Sequence, residues 1–218
     1  TYNVDGGTKI NAGTAYYGTS FVLPTANSTT KTGYTLDGWI VNGTKYAPGA
    51  GVVGIGADTT AIAVWKANTY KVTYDVNGGS KIDNDTATYG QDFTLPGVGS
   101  TIKLGYVLTG WNINGTLYAL GGKVSIKADT TVKAVWTAET YEITYDVDGG
   151  SPINKGSATY GQDFTLPGVG TTTKEGYILD GWMVNGTKYA PSATVSGITT
   201  DTTIKAVWTA ETYTITYN

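Results

Sequence analysis

Residues 33–46 read Gly-Tyr-Thr-Leu-Asp-Gly-Trp-Ile-Val-Asn-Gly-Thr-Lys-Tyr, and the pattern returns at 105–118 and 176–189. Each copy sets an Asn-Gly pair between apolar residues. A type I′ turn needs positive φ at both central positions, which Asn and Gly tolerate, so each copy is predicted as a β-hairpin. Three copies of one hairpin make a repeat protein, and that outweighs any domain count read from length.

The period is measurable. Trp65, Trp136 and Trp208 stand 71 and 72 residues apart, and Trp39, Trp111 and Trp182 stand 72 and 71 apart. Tyr17-Gly18, Tyr89-Gly90 and Tyr160-Gly161 keep the step, as do Leu23-Pro24, Leu95-Pro96 and Leu166-Pro167. In the middle copy Tyr70, Val72, Tyr74 and Val76 alternate with polar residues and predict a half-buried strand ended at Gly78-Gly79. Tyr141, Ile143, Tyr145 and Val147 repeat it. A second strand is expected over Ala87–Leu95, stopped by Pro96, which has no N–H for a ladder. An irregular connection over Gly97–Gly105, the hairpin and a last strand over Thr130–Trp136 follow. No long stretch carries a 3.6-residue apolar period, so the expectation is a mostly β fold with little helix. Any helix is one or two turns, between the first two strands or within Gly97–Leu104.

The boundaries this gives are residues 1–68, 69–139 and 140–211 for three tandem domains, with 212–218 as the first strand of a further repeat. The junctions Lys66–Thr69 and Thr137–Thr140 are too short to be flexible linkers. A semi-rigid rod is expected, roughly 90 Å long for three units of about 30 Å each. Thr1–Gly7 aligns with Thr73–Gly79, so the first repeat lacks counterparts of Thr69–Val72. The natural protein is therefore expected to carry more repeats. Alternatively, residues 212–218 pair with the first repeat of a neighbouring molecule in a strand exchange. The chain is otherwise expected to be a monomer.

Composition removes several function classes. All basic residues are Lys, with no Arg, and the net charge is −3. Arg is the usual bidentate reader of phosphate and guanine, so a nucleic-acid partner is not expected. No apolar run reaches the ~20 residues of a bilayer span, so membrane insertion is not expected either. Cys and His are absent, which removes disulfides, thiolate ligands and the commonest general base. No catalytic residue, cofactor or metal ligand is predicted.

Local patterns with a chemical alternative read as structure. Gly49-Ala50-Gly51-Val52-Val53-Gly54 fits a dinucleotide fingerprint by letter but follows a hairpin rather than opening a helix. Asp146-x-Asp148-Gly149-Gly150 hints at a calcium loop, but the twelfth position is Ser157 where the bidentate Glu belongs. The remaining candidate is aromatic. Trp39, Trp111 and Trp182, with Tyr46, Tyr118 and Tyr189, would make a stacking platform for a carbohydrate. Against that, a ~71-residue unit without disulfides needs its aromatics inside, so the core is the preferred place for them.

The ordered series Tyr-x-Val-x-Tyr-Asp-x-Asn/Asp-Gly-Gly, Tyr-Gly, Phe-x-Leu-Pro, Gly-Tyr-x-Leu-x-Gly-Trp and Ala-Val-Trp resembles the internalin B-repeat, or Listeria–Bacteroides repeat, family of bacterial cell-surface proteins. The resemblance covers the whole chain, three times over. It implies a β-grasp-like fold related to ubiquitin and SUMO, with the first and last strands parallel neighbours. It also implies an extracellular, wall-anchored or secreted location. The expected function is a non-enzymatic stalk or spacer that presents another domain and supports adhesion, with a carbohydrate- or mucin-binding module as the alternative. The host or surface ligand is not named by the sequence.

Overall fold

The computed structural model describes residues 1–217. It is built of strands and turns, and among the described residues there is no helix. The chain divides into two compact units. One comprises Thr1–Val76, Lys81–Ser100 and Trp111–Ala134, the other Asn77–Ser80, Thr101–Gly110 and Val135–Asn218. The division runs through the middle repeat, which contributes to both.

The third repeat lies wholly in the second unit and shows the plan. Its sheet has the order Gly156–Thr159, Thr140–Asp146, Thr202–Ala210, Tyr177–Val184, Thr187–Tyr189. The opening strand runs parallel to the last one, from Ile143↔Thr202 to Asp146↔Lys205. The other pairings are antiparallel. Ile143, Leu179, Trp182, Val184, Ile204 and Ala206 form its buried core, with Tyr145 and Tyr189 packed against it. In the first repeat, within the other unit, Tyr2–Asn3, Ala61–Ala67, Tyr34–Val41 and Thr44–Tyr46 follow the same order. Its first strand is again parallel to its last. The middle repeat repeats that parallel pair over Val72↔Thr130 to Lys133↔Asp75.

The turns follow the chemistry of their residues. Asn42, Asn114 and Asn185 have φ of 49°, 50° and 47°, each followed by a positive-φ Gly. Asp5-Gly6, Asn77-Gly78 and Asp148-Gly149 do the same at the end of each opening strand. There the N–H of Gly7 donates to Val4 O at 2.9 Å, and that of Gly150 to Val147 O at 2.9 Å.

One device was hidden in the sequence. Leu36 and Trp39 both face the core although three positions apart, which simple alternation forbids. The pairing with the last strand shifts register between Leu36 and Gly38, and likewise between Leu179 and Gly181. A bulge at Asp37 and Asp180 resets the alternation and brings the Trp inward. The Gly before Trp39 and the Gly before Trp182 are required by close approach. A Cβ on Gly38 would lie 2.6 Å from Tyr46 O, and one on Gly181 2.4 Å from Tyr189 O.

The structure departs from the expectations at three places. The short helix is absent among the described residues. The Gly97–Leu104 connection is a turn closed by Ser100 N–H to Gly97 O at 3.4 Å, and Gly99 and Gly105 hold φ of 77° and 73°, outside the helical basin. The strand expected over Ala87–Leu95 breaks into Asp85–Thr88 and Asp92–Thr94. Gly90, at φ 77°, turns the chain between them, and Gln91 N–H donates to Thr88 O at 3.1 Å. Residues 212–217, expected as the strand of a further repeat, are exposed and belong to no strand. Asn218 lies outside the described residues.

Candidate functional site

The six candidate aromatics sit on the repeated hairpin. Trp39 pairs across the ladder with Tyr46, Trp111 with Tyr118, and Trp182 with Tyr189. All three Trp side chains are 0% exposed. Their indole N–H groups donate to Pro24 O at 3.0 Å, Pro96 O at 2.9 Å and Pro167 O at 2.8 Å. Their rings meet Tyr2, Tyr74 and Tyr145 at centroid distances of 5.4, 5.7 and 5.7 Å. Each Trp thus ties its hairpin to the Leu-Pro corner and to the opening strand, and offers no ring face to solvent. Tyr46, Tyr118 and Tyr189 are half-buried, and Tyr46 and Tyr189 pack on their cores.

Burial shapes the titration of the partner ring. Burial, with the Asp85 charge second, pushes the Tyr74 hydroxyl up to about 12. On the surface, Lys45 holds the Asp37 carboxyl below its ordinary value by hydrogen bond and charge, and Lys188 does so for Asp180, chiefly by hydrogen bond. Thr109 replaces that Asp in the middle repeat, where its hydroxyl donates to Val135 O at 3.1 Å.

A second constellation escaped the sequence reading. Lys31, Lys103 and Lys174 donate to the backbone oxygens of Asp5 at 2.8 Å, Asn77 at 3.2 Å and Asp148 at 2.8 Å. Each ammonium also lies over a Tyr ring, at 4.9 Å from Tyr34, 4.4 Å from Tyr106 and 4.7 Å from Tyr177. Trp65 and Trp208 reach the same turns, donating to Val4 O and Val147 O at 3.0 Å. Below them Thr29, Thr101 and Thr172, each 2% exposed, donate to the backbone oxygens of Thr8, Ser80 and Ser151. The signal was available: a Lys three residues before each hairpin Tyr, at the repeat period.

A third constellation joins successive repeats. Asn68 N–H donates to Gly33 O, and Tyr89 N–H donates to Asn68 O, both at 2.9 Å. Glu139 bridges Gly105 O and Tyr160 N–H identically, at 2.9 Å each. Tyr89 then packs on Tyr34 at 5.5 Å, and Tyr160 on Tyr106 at 5.6 Å.

These arrangements hold backbone in place. The Asp146–Asp148 turn illustrates the point: Asp146 Oδ1 accepts the Asp148 N–H at 3.1 Å, and Lys205 Nζ lies 3.6 and 3.8 Å from the two carboxylates. The Lys205 ammonium thus stands beside both carboxylates of the turn. Among the described residues no group of three or more His, Cys, Asp or Glu side chains could hold a metal ion. No helix among them is long and apolar enough to cross a membrane.

The pattern of the Listeria-Bacteroides repeat domain matches residues 1–64, 70–135 and 141–207. The chain belongs to the Listeria–Bacteroides repeat family. Two proteins of Evansella cellulosilytica are similar to these repeats. One, provisionally named a Gly-rich membrane protein, is 28% identical over 217 residues, covering 94% of this chain and 24% of its own length. The other, provisionally named a membrane protein, is 27% identical over 185 residues, covering 84% of this chain and 27% of its own length. The chain thus spans about a quarter of the relatives it matches.

Proposed function

We propose that this chain is a non-enzymatic spacer of a bacterial cell-surface protein, made of three domains at residues 1–68, 69–139 and 140–211, that presents another domain and supports adhesion. Its Listeria–Bacteroides repeats and the membrane-protein names of its relatives support a place at the cell envelope. The finer kinship to internalin B-repeats and the β-grasp assignment belong to this reading, and rest on the order of motifs and the parallel pair of first and last strands.

The observation that carries the proposal is mechanical. In the third repeat the opening strand enters and the last strand leaves side by side and parallel. Tension applied across such a repeat loads the hydrogen bonds of the pair together, in shear, rather than peeling them singly. A single residue, Asn68 or Glu139, bonds one repeat to the next on both sides, so there is little slack to take up first. Pulling single molecules by their ends tests it. Three well-separated unfolding events of similar size are expected, governed by the unfolding rate. A chain that extends smoothly, without a resolved event, overturns the spacer reading.

A further inference from the structure

Asn42, Asn77, Asn114 and Asn185 each precede a Gly. Three of these pairs form the tips of the repeated hairpin. The hairpin ladders close at Val41↔Thr44, Ile113↔Thr116 and Val184↔Thr187, so the tip residues between them lie outside the ladder. All of them are exposed. A Cβ on Gly43, Gly115 or Gly186 would meet nothing within 4 Å. Each tip Asn side chain is therefore followed directly by a peptide nitrogen that nothing crowds.

The tips differ in one hydrogen bond. The Gly115 N–H donates to Asn112 Oδ1 at 3.0 Å. Asn112 lies opposite Leu117 across the hairpin. Ile40 and Met183, opposite Lys45 and Lys188, hold its place in the first and third repeats, and neither side chain carries an oxygen. The middle tip nitrogen thus has a side-chain acceptor that the other two repeats do not provide.

We infer that Asn42 and Asn185 are sites of self-modification, namely deamidation through a cyclic imide, and that Asn112 shields Asn114 from the same reaction. In the first repeat the Gly43 backbone nitrogen gives its proton to hydroxide and attacks Asn42 Cγ. The new N–Cγ bond closes a five-membered ring, the Cγ–Nδ2 bond breaks, and Nδ2 leaves as ammonia with a proton from water, which restores the hydroxide. Water then opens the imide at one of its two carbonyls. Breaking the new N–Cγ bond leaves aspartate at position 42. Breaking the original peptide bond to Gly43 instead leaves isoaspartate, whose main chain runs through Cγ. In sum one water is consumed and one ammonia released. The attacking nitrogen must give up its N–H, so an acceptor that holds this N–H, as Asn112 does, slows the first step. Asn3, Asn68 and Asn154 precede Val4, Thr69 and Lys155, whose side chains obstruct the approach.

The two products differ in structure. Asp5 and Asp148 already stand before a Gly at φ of 43° and 47°, so aspartate fits the left-handed positions of Asn42 and Asn185 at 49° and 47°. Isoaspartate lengthens the main chain of a two-residue loop. That loop joins strands whose register sets Trp39 opposite Tyr46 and Trp182 opposite Tyr189. Either product adds a negative charge to the tip. The pair at Asn77 is restrained differently: its main-chain oxygen accepts Lys103 Nζ at 3.2 Å, which opposes the peptide rotation that ring closure needs.

Ageing the folded 218-residue chain at mildly alkaline pH tests the inference. Peptide mapping by mass spectrometry follows each position, and isoaspartate-directed enzymatic methylation counts the second product. Asn42 and Asn185 are expected to convert first, with ammonia released in step. Asn114 is expected to convert about two- to tenfold more slowly, the cost of surrendering one hydrogen bond. Asn112→Ile is expected to bring Asn114 to the rate of the other two, and Ile40→Asn to slow Asn42 by a similar factor, with circular dichroism checking that both variants fold. The comparison of Asn42 with Asn114 in the parent chain needs no variant. The same chain unfolded in urea supplies the reference rate. Asn42 and Asn185 staying intact in the folded chain while the unfolded chain converts overturns the sites. Asn114 converting as fast as Asn42 in the parent, or staying slow in a folded Asn112→Ile chain, overturns the shield. Force resistance of the unmodified repeats is independent of every one of these outcomes, so the spacer role stands or falls separately.

Discussion

The ring of Tyr89 meets the ring of Tyr34 edge to face, with centroids 5.5 Å apart and planes at 77°. The contact is possible because Gly33 has no side chain: a Cβ there would lie 2.2 Å from the Tyr89 ring. Gly33 also holds φ of 78°, so the position excludes side chains on two grounds. The Tyr106–Tyr160 pair repeats this at 5.6 Å and 73° over Gly105. Aromatic pairs in this geometry contribute about 0.5–1.5 kcal/mol beyond burial.

Gly33→Ala and Gly105→Ala are expected to lose about 1–2 kcal/mol from the left-handed backbone, and more from displacing the Tyr ring. Gly176→Ala carries the same backbone strain at φ 73° with nothing to displace, so it isolates the first effect. Urea unfolding of the three variants, with hydrogen exchange at Asn68 and Glu139, separates the two contributions.

Trp39→Ala is expected to cost about 3–5 kcal/mol, enough to unfold the first repeat. Trp39→Phe keeps most of the apolar volume but leaves Pro24 O without its 3.0 Å donor, for about 1–3 kcal/mol. Tyr46→Ala, at the half-buried position opposite, costs less than Trp39→Ala. Denaturant midpoints by circular dichroism rank the three.

Acid stability depends on Asp37 and Asp180. Their folded carboxyls titrate below the ordinary value because of Lys45 and Lys188. That stabilisation is therefore complete above the unfolded value of about 3.9 and disappears as pH falls through the lowered one. Asp37→Asn and Asp180→Asn flatten this limb in the first and third repeats. Urea midpoints between neutral and strongly acidic pH are the measurement, and the salt bridges being exposed, added salt shrinks the effect.

In the middle repeat alkali acts through Tyr74, as it does through the hydroxyls of Tyr2 and Tyr145, which burial also raises, in the other two. The folded value of Tyr74, about 12, exceeds the ordinary 10.0, so its contribution is complete below pH 10 and lost as pH rises through about 12. Tyr74→Phe removes this limb. Asp85→Asn, which takes away the second cause of the shift, brings tyrosinate absorbance in at lower pH.

What the sequence made legible was whatever local chemistry decides. Asn42-Gly43 declared its turn because few other pairs tolerate two positive φ values, and Tyr70, Val72 and Tyr74 declared a strand face by alternation. What escaped was whatever needs a distant partner. The bulge at Asp37 cannot be counted from one strand, since it exists only against the register of Ala61–Ala67. The seat of the Trp39 N–H is a carbonyl 15 residues upstream, and that of Lys31 one 26 residues upstream. Tyr17, Tyr89 and Tyr160 look alike in sequence, yet the first is 90% exposed while the other two cover a Gly of the preceding repeat. The Gly97–Leu104 stretch lacked any periodicity that would have distinguished a short helix from the turn it forms.

The indoles of Trp65 and Trp208 each reach a carbonyl 61 residues earlier in the chain, and the last strand lies against the first. Such long-range closure makes a repeat slow to form relative to local folds of equal size. It also sets an order in time. A repeat leaving the ribosome from its N-terminus lacks the parallel neighbour of its first strand until its last residues emerge. About one repeat's length of chain therefore waits without its closing strand, and the arrival of each closing Trp marks the moment at which that length becomes committed.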